Sequence, residues 1–125
     1  MSDKILITTG DLVLTAELND TETAKKLKSL LPLQFSMSRW GDEYYGDCGI
    51  RVEQESGAKV VMEIGELAVW PVGSALCIFF GPTPVSVGDE PRAASSVNPV
   101  GKLIDDPVPL KKLKDVIKVT VSNLN

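Results

Sequence analysis

The sequence predicts a mainly β protein, a closed eight-stranded antiparallel barrel with two capping helices, in one domain over residues 1–125. Three observations predict it. Residues 12–18, 33–40 and 117–122 alternate apolar and polar side chains with a period of two, the mark of half-buried strands. Residues 65–84 (GELAVWPVGSALCIFFGPTP) set two apolar runs around Pro71-Val72-Gly73-Ser74, bounded by Gly and Pro as in a buried hairpin. Strands outnumber helical stretches, and eight strands with an apolar alternate face can close on a core of side chains. An open two-layer α+β sheet is the rival architecture.

In chain order, residues 5–9 and 12–18 flank Gly10-Asp11, a two-residue hairpin turn. Asn19 and Asp20 offer an N-cap, and Glu22 stands three residues beyond Asn19 as in a capping box. The helix that follows places Ala24, Leu27, Leu30 and Leu31 on one face, and Pro32 helps to stop it. Residues 33–40 make a third strand with Leu33, Phe35 and Met37 inward; 44–52 make a fourth, bent at Gly46 and Gly49. Residues 53–59 read as a polar loop and 60–62 as a short apolar segment before the hairpin. Residues 82–99, with four prolines and Ser95-Ser96, read as a long loop, followed by a short strand over 97–104. PLKKLKD (109–115) is expected to form the second helix, and Ile117, Val119 and Val121 the inward face of the last strand.

Composition narrows the function classes. A net charge of −4 and the lack of a basic, aromatic-rich stripe argue against nucleic acid and anionic membrane as partners. No apolar run approaches the ~20 residues that span a bilayer, and Met1-Ser2-Asp3-Lys4 does not open like a secretory signal. A cytoplasmic protein, monomeric or weakly homo-oligomeric, is expected. The chain has no histidine and two cysteines, Cys48 and Cys77. That removes histidine triads and histidine-ligated zinc or haem, so neither a metal nor another cofactor is expected.

Short motifs add a resemblance. GELAVWP stands where cyclophilins have a strand beginning G-x-L-S-M-A-N, GSALCI looks like their G-S-Q-F-F-I, and Val100-Gly101-Lys102 looks like their F-G-K. WGDEYY (40–45), Trp70-Pro71 and IFFGPTP (78–84) are more closely similar to a family of small prokaryotic cyclophilin-like proteins without an established function. The resemblance implies a cyclophilin-like barrel. For true cyclophilins it would also imply prolyl isomerisation, in which an Arg on the third strand stabilises the twisted amide beside an outer-face proline pocket. Arg39 is the candidate for that role, although its parity with Leu33, Phe35 and Met37 turns it towards the interior or its end; Arg51 is a second candidate. Ala75 and Cys77 replace groove residues, and the bulky Trp70-Pro71 stands where substrate backbone passes, so isomerase activity is disfavoured.

The leading expectation is therefore a binding module. Trp40, Tyr44, Trp70, Cys77 and Phe79 would line an outer-face groove beneath the 82–99 loop, for a proline-containing peptide or a small apolar ligand. Exposed tryptophans forfeit about 2–3 kcal/mol each, so something covers them, either that loop or a ligand. Cys77 reads as a core or groove residue rather than a reactive thiol. Asp42, Glu43 and Asp47 read as a solvated hairpin end or, functionally, as an amine or cation site or a salt bridge orienting Arg39. An acid–base pair of Glu63 and Glu66 is disfavoured, and an assembly interface is the third alternative.

Overall fold

Alternation in sequence becomes a ring of strands in the computed structural model, which describes residues 3–124. Nine strands are present: β1 Asp3–Thr9, β2 Leu12–Leu18, β3 Leu33–Arg39, β4 Glu43–Asp47, β5 Lys59–Val61, β6 Glu66–Trp70, β7 Ala75–Phe79, β8 Arg92–Leu103 and β9 Val116–Asn123. Eight of them pair antiparallel in the order β2-β1-β9-β3-β4-β7-β6-β8, and β8 returns to β2 to complete the ring. β5 adds to the free part of β8 as a ninth strand. A ring has no open edges to pair with a second chain except where β5 ends it.

Closure depends on Gly101. It pairs with Leu18 where β8 meets β2, and a β-carbon there would overlap the Glu17 carbonyl and come within 3.0 Å of Leu18 Cα. Inside the ring, Ile5, Ile7, Leu14, Met37, Leu67, Val69, Leu76, Ile78, Val119 and Val121 form one continuous apolar cluster. These are the inward positions of the period-two pattern, so the alternation seen in the sequence sorts the interior directly.

The expectation of two capping helices is corrected. Among the described residues there is one α-helix, α1 (Glu22–Leu30), whose Ala24 and Leu27 join the interior cluster. Thr21 caps it, accepting from the Ala24 amide at 3.2 Å, while Asn19 Oδ1 in turn accepts from Thr21. The cap therefore falls one or two residues later than Asn19-Asp20. Leu30 is exposed and Leu31 lies beyond the helix. The expected second helix is a 3₁₀ segment, Val108–Lys112, with Leu110 N–H bonded to the Pro107 carbonyl and Leu113 N–H to that of Leu110. Pro109 offers no amide donor, and so short a stretch gains too few i→i+4 bonds to offset nucleation.

Two further boundaries move. β4 ends at Asp47, so residues 48–58 run without a ladder, although Ile50 is buried in the interior. The expected 82–99 loop ends at Pro91, because β8 begins at Arg92. Ala93, Ala94, Ser95 and Ser96 offer neither a β-branched run nor clean alternation, which hid the strand. What remains of the loop is tied internally. Thr83 Oγ1 donates to the Arg92 carbonyl, Ser86 Oγ to the Glu90 carbonyl, and the Glu90 carboxylate accepts the Val87 and Gly88 amides. Those two amides hold the Glu90 carboxyl down at about 2.

Candidate functional site

The outer side of the sheet carries a second apolar cluster. Ala68 from β6 with Cys77 and Phe79 from β7 pack against Ala93 and Val97 of β8 and Met62 beyond β5. β8 reaches this position because its register on β6 shifts between Leu67 and Ala68, a bulge that bends the strand. Its second half completes the ring, and its first half folds over the outer face. The bend is held by Asn98, which is fully buried. Asn98 Oδ1 accepts the Glu55 amide at 2.9 Å, and Nδ2 donates to Thr23 Oγ1 at 3.1 Å and to the Glu53 carbonyl at 2.9 Å.

Between this covering strand and the sheet lies a cavity of about 280 Å³. Trp40, Tyr45 and Trp70 form its aromatic walls; Ala93, Ala94 and Val97 of β8 close one side, and Glu43 and Cys77 stand at its base. Both indoles thus lie outside the ring. The Trp70 ring is fixed from two directions. Its Nε1–H donates to Ser95 Oγ at 2.7 Å, and its benzo edge lies so close to Gly73 that a β-carbon there would stand 2.6 Å from Cε3.

Glu43 is the chemically distinctive group. It is only 5 % exposed, and its Oε1 has no hydrogen-bond partner among the described residues. Burial raises its pKa to about 7, partly offset by a hydrogen bond from the Cys77 thiol. Burial, followed by the neighbouring Glu43 carboxyl, pushes the Cys77 thiol well above its ordinary value. Cys77 therefore stays protonated near neutral pH and is not a nucleophile.

The other candidate residues are placed as follows. Trp40, Trp70 and Cys77 converge on the cavity. Tyr44 does not; it is fully buried inside the ring, stacked on Phe80 with centroids 5.7 Å apart. β4 pairs Tyr44 with inward Ile78 and Tyr45 with outward Cys77, so it is Tyr45, 37 % exposed, that faces the cavity. Phe79 is buried within the outer cluster and backs the site without lining it. Arg51 is exposed on the 48–58 segment, where its carbonyl accepts from Lys26 Nζ, and it borders a separate groove beside α1.

Arg39 closes one end of the ring, as its strand parity implied. Its Nε donates to the Gly41 carbonyl, Nη1 to that of Lys111, and Nη2 to Asp42 Oδ1, at 2.8 to 2.9 Å. The guanidinium carbon sits 5.1 Å from the Phe80 ring centroid and 5.9 Å from that of Tyr44. Tyr44 Oη completes the arrangement by donating to the Lys114 carbonyl. Every edge of the guanidinium is thus spent on the fold rather than on the outer face. Arg39→Ala is expected to cost about 2 kcal/mol in urea unfolding, chiefly by removing the part-buried bond to Asp42, which keeps only the longer Lys111 contact, and the guanidinium packing on Phe80 and Tyr44. Of the remaining acidic candidates, Asp47 accepts the Gly49 amide, while Glu63 and Glu66 pair with Lys102 and Lys59 away from the cavity.

Comparison with known proteins then places the chain. The profile of the family described as Cyclophilin-like matches residues 3–122, nearly the whole sequence. The chain belongs to the cyclophilin-like family. The solution structure of a hypothetical protein from Archaeoglobus fulgidus is 34 % identical, with a TM-score of 0.82, over 97 % of this chain and 94 % of that one. No curated protein matches the sequence. For this cyclophilin-like chain, the acidic turn that contains Glu43 was singled out from sequence, whereas Tyr45, Ala93, Ala94 and Val97 were not. The available signal was parity: Glu43 and Tyr45, two residues apart on β4, share a face, and pairing with β7 makes it the outer one. No described helix is long and apolar enough to cross a membrane.

Proposed function

We propose that this cyclophilin-like protein is a binding module, a closed barrel used as a scaffold for an outer-face aromatic cavity that takes a proline-containing peptide segment or a small apolar molecule. The observation that carries the reading is the convergence of Trp40, Tyr45 and Trp70 on one cavity with an apolar β8 wall. Apolar walls with a few polar groups at the base are the usual make-up of small-ligand sites. The fixed orientation of Trp70 means that little side-chain freedom is lost when a ligand docks. Isomerase chemistry is disfavoured because Arg39 has its donors engaged at the ring end, leaving no guanidinium at the cavity to stabilise a twisted amide.

Titration with proline-containing peptides and small apolar probes, followed by tryptophan emission, tests the proposal. A saturable change that Trp70→Ala reduces by about tenfold in affinity, with no acceleration of cis–trans exchange, is the expected outcome. A flat titration across all probes would remove the binding reading, and acceleration of exchange would replace it with the enzyme.

A further inference from the structure

The base of the cavity carries a carboxyl group that the fold leaves unsatisfied. Glu43 Oε1 is buried without a partner, and Glu43 lines the cavity between the aromatic walls. A buried, unpaired polar oxygen costs free energy, and nothing in the interior needs this one. The fold uses the neighbouring Asp42 differently, against Arg39 and Lys111. Lys and Arg are absent from the cavity lining, so no side chain there neutralises Glu43. The three aromatic rings present electron-rich faces, which attract cations rather than anions.

Resting on the reading of this cavity as a binding site, we propose that its ligand carries a protonated amine next to an apolar group, with the ammonium seated on Glu43 and enclosed by Trp40, Tyr45 and Trp70. An anionic ligand would meet a like charge at the base. A purely apolar ligand would leave the carboxyl oxygen unsatisfied and more deeply buried. An ammonium supplies the missing donor and the opposite charge together.

The arrangement links binding to pH. Glu43 must be ionised to hold the cation, and in the free protein it ionises at about 7. Binding therefore releases a proton, and affinity falls about tenfold per pH unit below that point. The groups that face Glu43 do not blur this dependence. Cys77 on β7 stays a thiol, Tyr45 lies on Glu43's own strand, β6 contributes Trp70, and β8 contributes Ala93, Ala94 and Val97.

The test compares 2-phenylethylammonium chloride with its neutral isostere 2-phenylethanol by calorimetry and tryptophan emission, on the whole protein from pH 5 to 8. The ammonium is expected to bind at least about tenfold more tightly than the alcohol at pH 8 and to lose most of that preference at pH 5. Glu43→Gln should abolish the preference, and an unchanged near-ultraviolet circular dichroism spectrum shows that the variant keeps its fold. Equal binding of the two probes, unaffected by Glu43→Gln, would overturn the ammonium inference and leave the binding module standing. No response to either probe would overturn the inference; with a flat peptide titration as well, it would remove the binding module too.

Discussion

Glu43→Gln is expected to make the protein more stable than the wild type by about 3 kcal/mol at pH 9, and to leave it unchanged at pH 4. The sign follows from the direction of the shift. Burial raises the Glu43 carboxyl from 4.5 to about 7, so between those values the folded state binds the proton that the unfolded state has lost. Stability from this group is complete below 4.5, declines as pH rises through 7, and levels off above it. The rise from 4.5 to about 7 corresponds to about 3 kcal/mol. Gln keeps the shape of the protonated acid and never ionises. Urea unfolding of both proteins across pH 4 to 9 measures the difference, in which titrating groups not coupled to Glu43 cancel. A difference independent of pH would contradict the burial argument.

Asn98→Ala is expected to cost more, about 4 kcal/mol. It removes three hydrogen bonds at once, one fully buried and two part-buried, at about 1–1.5 kcal/mol each, and leaves the part-buried Glu55 amide and Glu53 carbonyl without their Asn98 partner. The network also joins α1 to the rest of the chain, because Glu55 Oε2 accepts from both the amide and the hydroxyl of Thr23 near the start of the helix. Its position matters for the site as well. Asn98 is the residue at which β8 leaves the ring and begins to cover the outer face, and Val97 next to it lines the cavity. Loss of stability accompanied by loss of probe binding is the expected pattern in urea unfolding and titration. A cost below about 1 kcal/mol would mean that water replaces the amide, as buried polar sites sometimes allow.

How much of this was legible in the residues varies along the chain. β9 and the β6–β7 hairpin were readable because Ile117, Val119 and Val121 alternate cleanly, and because Pro71-Val72-Gly73-Ser74 punctuates two apolar runs. The position of Arg39 at the end of the ring, off the outer face, also agrees with its parity with Met37. The adjacent pair Tyr44-Tyr45 was ambiguous for a physical reason: a shift of one residue exchanges the two faces of a strand, and only pairing with β7 decides which tyrosine is inside. The covering half of β8 was hidden because Ala93, Ala94 and Ser95 are small where the indole and Phe79 need room. Size complementarity across the outer cluster is a property of two distant segments, invisible in either one. Glu43 shared that fate. Within an acidic turn it reads as a solvated hairpin end or an amine or cation site, and its burial is a property of the assembled outer face, where it shares a cavity with Ala93, Ala94 and Val97.

Outside the ring of strands, the buried Glu43 carboxyl keeps one oxygen, Oε1, without a partner among the described residues, in a cavity walled by three aromatic rings. Carbon-detected NMR of the Glu43 side-chain carboxyl during a pH titration, with Glu43→Gln used to assign the resonance, tests it most directly. Burial of the carboxyl is expected to put the midpoint at about 7. A midpoint near the ordinary 4.5 of a solvated glutamate would contradict it.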